Sequence, residues 1–130
     1  MAGYTVRRLE DAPDVLGDYP GEMRLLTYVI DAEQAAITYR RMPQHTGGKG
    51  SYGHRHKTQE EIYFVMSGRL QFKLGDEIVE LEKGGVVRVA PEVVRSVWND
   101  EPEDAELIIV SKRIEGAQGD VETVADFWPE

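Results

Sequence analysis

Turn-forming residues punctuate this chain at short intervals, and nothing else in the sequence limits its fold as much. They cluster at Asp18–Gly21, Pro43–Gly53, Ser67–Gly68, Gly75–Asp76, Gly84–Gly85, Asn99–Glu103 and Gly116–Asp120. Glycine visits positive φ freely and proline lacks a backbone donor, so long helices do not run through such clusters. Between them lie short runs rich in Val, Ile, Tyr and Phe, residues that suit a pleated surface. The pattern predicts an all-β sandwich or barrel with little helix. Strands are expected at Ala35–Met42, Ser51–His56, Glu61–Met66, Arg69–Leu74, Glu77–Leu81, Val86–Ala90, Val93–Trp98 and Ala105–Lys112. Gly75-Asp76 is a two-residue hairpin signal. Tyr4–Leu9 and Met23–Ile30 are candidates for further strands, with Glu22–Ile30 also readable as a helical turn. Residues 115–130 show no clear period.

The chain has 130 residues, which fits one domain with a single core. It contains no cysteine, which excludes disulfides and thiolate-held metals. The formal net charge is −9. Ten of the 24 acids but only two of the 15 bases fall in residues 100–130, so the remainder of the chain is close to neutral. A domain this acidic lacks the clustered Lys and Arg that neutralise phosphates, so no nucleic-acid partner is expected. The longest aliphatic run, Leu107–Val110, is far below the roughly 20 residues of a membrane span, so no membrane partner is expected. Charges occupy the N-terminus where a signal peptide needs an apolar run, and a cytoplasmic location is the expectation.

Two of the three histidines are His54 and His56. On a strand, residues i and i+2 face the same side, so the two imidazoles project together. Glu60 and Glu61 follow after Lys57-Thr58-Gln59, where a second strand returns one carboxylate beside them. Two His and a carboxylate form a facial set that leaves open positions on a divalent transition metal such as Fe, Mn, Ni or Zn.

These residues resemble the first motif of the cupins: Gly, five residues, His-x-His, three or four residues, Glu, six residues, Gly. Gly48, His54, His56, Glu61 and Gly68 meet that spacing within a 21-residue window. Only Glu61, not Glu60, leaves six residues before Gly68. The second cupin motif is half present: Gly85 and Pro91 fit, Val93 replaces a glycine, Ser96 stands at the histidine position and Asp100 at the asparagine position. The resemblance covers roughly residues 35–110. It implies a small cupin-type double-stranded antiparallel β-barrel, jelly-roll-like and often dimeric. It also implies a divalent metal on His54, His56 and Glu61, with Ser96 in place of a fourth histidine ligand. The expected organisation is one cupin domain with a barrel core over about 35–112, an N-terminal extension over 1–34 and an acidic tail over 113–130. A homodimer is expected, with the N-terminal segment as the extra interface element.

Strand alternation sorts the other candidates. With Glu61 inward, Tyr63 shares its face and Glu60 takes the other. With Ser96 at the ligand position, Trp98 also lines the cavity while Arg95 and Val97 point outward. Tyr63, Ser96 and Trp98 are thus the expected contacts of a small-molecule ligand. His45, in a glycine-rich loop, reads as exposed or as a substitute metal ligand. One of the adjacent Arg40 and Arg41 must face the interior or an interface. Three functions fit: a metal-dependent cupin, a small-molecule-binding cupin without catalysis, and an interaction module whose working part is the acidic tail. No residue can be assigned as catalytic, because cupin folds host many chemistries.

Overall fold

The computed structural model describes residues 3–130. The described residues form eleven strands: β1 (Glu22–Leu25), β2 (Ala35–Met42), β3 (Thr46–Gly47), β4 (Ser51–His56), β5 (Glu61–Ser67), β6 (Arg69–Leu74), β7 (Glu77–Glu82), β8 (Val86–Val89), β9 (Arg95–Asn99), β10 (Ala105–Lys112) and β11 (Val121–Trp128). One helical turn, α1 (Leu26–Val29), joins β1 to β2. The strands form two antiparallel sheets, ordered β1-β2-β10-β5-β8 and β11-β4-β9-β6-β7, with β3 beside β9.

Alternation decides which side chains meet between the sheets. Met42, Tyr63, Val65, Val89, Ala105 and Leu107 of the first sheet pack with Leu70, Phe72 and Val97 of the second. Burying a side chain such as Leu70 or Phe72 stabilises by about 1.5–3 kcal/mol. Gly68 closes the β5–β6 turn at φ 76°, and a Cβ there would lie 2.7 Å from the Ala105 Cα. Only glycine fits that left-handed, crowded position.

The Glu22–Ile30 segment is both a strand and a helical turn, while Tyr4–Leu9 contributes no strand. The Thr27 hydroxyl ties α1 to β2 by accepting from the Ile37 amide at 2.9 Å.

Two segments outside 35–112 belong to the sheets, so the expected core is too narrow. β1 pairs along β2, and β11 pairs along β4. Residues 113–130 are therefore no free acidic tail: Trp128 at their end is 2% exposed. Val121, Thr123 and Val124 are β-branched and lie in the part of β11 that pairs continuously with β4, and a register shift follows between Val124 and Trp128. That irregularity, with Asp126 at φ 54°, breaks the alternation and hides the strand from a periodicity reading. No described helix is long and apolar enough to cross a membrane.

Candidate metal centre inside the barrel

β4 turns His54 and His56 into the barrel, and Glu61 enters it as the first residue of β5. The intervening turn is fixed by Asp120, which precedes β11. Its carboxylate accepts from the Thr58 amide at 2.9 Å, the Thr58 hydroxyl at 2.7 Å and the Gln59 amide at 3.0 Å. One ligand atom each from His54, His56 and Glu61 lies within 4.8 Å of the others. Glu61 Oε1 is 3.3 Å from Nε2 of His54 and 3.4 Å from Nε2 of His56.

Burial pushes the Glu61 carboxyl upward, but hydrogen bonds from His54 and Tyr63 and the charges of both imidazoles outweigh it, giving a value of about 2. Glu61 is therefore an anionic donor at neutral pH. Tyr63 donates its hydroxyl to Glu61 Oε1 at 2.5 Å, and burial holds its own ionisation well above the usual tyrosine range.

The donor set fits a divalent metal on a second count. His56 Nδ1 lies 3.1 Å from Asp120 Oδ2, while His56 Nε2 is buried with no hydrogen-bond partner among the described residues. A carboxylate on one ring nitrogen presents the lone pair of the other to a metal. Burial raises the Asp120 carboxyl, yet the bonds from Thr58, Gln59 and His56 lower it overall.

β9 reverses one expectation. Arg95, not Ser96, points inward: Arg95 is directly opposite His54 and only 1% exposed, and Val97 joins the core. Arg95 is accommodated because its guanidinium donates to the carbonyls of Pro91 at 3.2 Å, Val89 at 3.3 Å and Ala90 at 3.0 Å. Its Nε lies 3.6 Å from Glu61 Oε1. A guanidinium thus stands beside the three candidate ligands, on the face expected to carry Ser96.

Ser96 and Trp98 face away from the centre. Ser96 packs on Gly48, where a Cβ would come within 1.8 Å of the hydroxyl. The Trp98 indole donates to Asp100 at 3.2 Å and its ring stacks against His45 at 6.0 Å. Both thus lie on the face of β9 opposite to the buried Arg95, Val97 and Asn99. His45 is not part of the group formed by His54, His56 and Glu61: its side chain is 63% exposed and its Nε2 is 3.9 Å from Asp100. Tyr63 does reach the centre, through Glu61. Of the arginine pair, Arg41 points outward to Asp104 at 2.8 Å and Arg40 points inward, opposite the buried Leu107. The residues that sequence reasoning missed are Asp120 and Arg95. Asp120 carries no local signal, because its partner His56 is 64 residues away.

Two facing antiparallel sheets form a β-barrel in which a His-x-His and a Glu converge as a group that could hold a metal ion. The family model described as "Cupin domain" matches residues 41–111, and the chain belongs to the cupins. No curated protein matches the sequence. A sugar phosphate isomerase of the cupin superfamily from Silicibacter pomeroyi superposes with a TM-score of 0.74 at 14% identity, over 93% of this chain and 92% of that one. A cupin protein from Bacteroides fragilis superposes at 0.67 with 20% identity, over 89% of each chain. A Cupin 2 conserved barrel domain protein from Salinispora arenicola gives 0.67 at 18% identity, over 88% of this chain and 92% of that one. At these identities the likeness concerns the fold.

Proposed function

We propose that this cupin binds a divalent transition metal on His54, His56 and Glu61 and a small oxygen-bearing molecule beside it. The observation that carries the reading is the buried, unpartnered Nε2 of His56, aimed at Glu61 and oriented from behind by Asp120. Fe, Mn, Ni and Zn all accept imidazole and carboxylate donors. A bound metal would supply a Lewis acid with open coordination positions. Tyr63 and Arg95 hold the Glu61 oxygen in place, and the apolar half of the barrel limits water on that side. Calorimetric titration of the metal-stripped protein with Zn(II) tests this. Binding in a 1:1 ratio that disappears in His56→Ala supports it, and binding unchanged in that variant rejects it.

Arg95 favours a second reading, a ligand-binding barrel with no tightly held metal. Its positive charge lies beside the carboxylate that a cation would need. Turnover of a candidate ligand at enzyme-like rates would remove this alternative.

The reading includes self-association. Ile62, Phe64, Met66 and Val86 form an exposed apolar stripe on the outer face of the first sheet. In a two-fold dimer the same patch meets itself. Apart from the exposed Arg88–Glu60 ion pair beside Ile62, the stripe is apolar, and a second copy of this chain is its proposed occupant.

A further inference from the structure

Arg40 shares the interior face of β2 with Met42, and its direct partner on β10 is the fully buried Leu107. Its Nε is buried with no hydrogen-bond partner among the described residues. Burial works against its charge. The titratable groups that bear on it are the phenols of Tyr19, Tyr52 and Tyr63, with no carboxylate among them. Its neighbour Arg41 shows the ordinary solution, with Asp104 at 2.8 Å and Glu22 at 3.9 Å. The other inward arginine, Arg95, also has a buried Nε without a hydrogen-bond partner, but its charge faces Glu61 at 3.6 Å and its amino groups donate to three backbone carbonyls. Arg40 is partly buried, so its cation is incompletely hydrated and has no counter-ion among the described residues, and a bound anion would offset that cost.

We infer that Arg40 anchors the anionic end of the ligand, a small monocarboxylate, inside the barrel; this rests on the reading that the rest of the ligand lies beside His54, His56 and Glu61. A guanidinium fork matches a carboxylate with two parallel hydrogen bonds. One unpaired guanidinium balances one negative charge. A phosphate dianion would need a second free cation, and Arg95 is already committed to Glu61. The Tyr63 phenol donates to Glu61 and is among the groups that act electrostatically on Arg40. Arg40 is itself only partly buried, so the Arg40 end of the interior can be reached from solvent.

Calorimetric titration of the full chain with glycolate, its uncharged counterpart glycolamide and inorganic phosphate tests the inference, with and without removal of metal by a chelator. Glycolate is expected to bind at least about tenfold more tightly than either of the others, the scale of a charge-assisted hydrogen bond. Arg40→Gln should lose about tenfold or more in glycolate affinity, and Arg40→Lys, which keeps the charge but not the fork, should fall between. Circular dichroism checks that each variant folds, and Arg40→Lys decides the matter if Arg40→Gln does not. The inference is overturned by glycolate affinity equal to wild type in the folded variant, by glycolamide or phosphate binding as tightly as glycolate, or by no glycolate binding at all. The two readings fail separately. Arg40-dependent glycolate binding in protein that takes up no metal upholds this one and rejects the metal centre. Metal uptake with glycolate binding indifferent to Arg40 does the reverse.

Discussion

Asp120 Oδ2 lies 3.1 Å from Nδ1 of His56, so a carboxylate at the entrance to the last strand orients an imidazole on β4. Both side chains are nearly inaccessible, at 6% each. The same carboxylate holds the turn between His56 and Glu61, so one residue positions two of the three candidate ligands.

Removing that support should weaken metal binding without removing a ligand. Asp120→Asn is expected to cost about 10–100-fold in Zn(II) affinity, the usual scale for a carboxylate behind a ligating histidine. Zinc titration of the refolded variant checks this, with unchanged affinity as the contrary result.

Arg95 should oppose metal binding by its charge while supporting the fold. Arg95→His places an imidazole opposite His54 and removes the guanidinium from Glu61. Zn(II) affinity is expected to rise roughly tenfold or more, since a fourth imidazole completes the preferred tetrahedral set. The melting temperature should fall, because three carbonyl hydrogen bonds are lost. Paired zinc titration and thermal melts separate the two effects.

The sequence made the three ligands legible because they lie within eight residues, on two strands whose starts at Ser51 and Glu61 are marked by turns. The bounds of β2, β4, β6 and β10 follow equally from alternation and flanking turn residues. β9 was not legible. Counting from Gly85 places Ser96 at the ligand position, but the loop after Pro91 delivers Arg95 to the inner face, and a shift of one residue reverses every side chain on a strand. Burying a tryptophan and exposing an arginine is the usual expectation. Here Trp98 finds Asp100 outside, and Arg95 finds three carbonyl acceptors and the Glu61 carboxylate nearby inside. Asp120 was hidden among acids that look like a solvated tail.

That segment should matter for stability. Trp128 is 2% exposed, and its replacement by alanine is expected to cost about 3–5 kcal/mol, the range for a large aromatic core truncation. Urea unfolding checks this. A change within experimental error would mean that β11 is dispensable to the barrel.

Acid should destabilise the fold partly through Glu106. Hydrogen bonds from Tyr39 and Ser67 hold its carboxyl below the usual range despite burial. A folded value below the unfolded one gives stability that is in place above about pH 4.3, the unfolded glutamate value, and is lost as pH falls further. Glu61 and Asp120 shift in the same direction, so the comparison needs a variant. Melting temperatures from about pH 6 down to about pH 3 should fall less steeply in Glu106→Gln than in wild type. Equal slopes would contradict this.

Self-association should depend on the outer apolar stripe. Phe64 is 42% exposed at its centre, and Phe64→Asp is expected to shift the wild-type dimer to monomer by light scattering. A wild-type monomer, or a variant that remains dimeric, would refute the interface.

The most direct test of the metal centre is elemental analysis of protein purified without a metal-chelating tag, after supplying Fe, Mn, Ni and Zn in turn and removing excess. Wild type should retain one of these metals in equimolar amount, and His54→Ala and His56→Ala should each lose it while keeping the wild-type circular dichroism spectrum. Wild type that retains none of the four, or histidine variants that retain as much as wild type, would contradict the assignment of His54, His56 and Glu61.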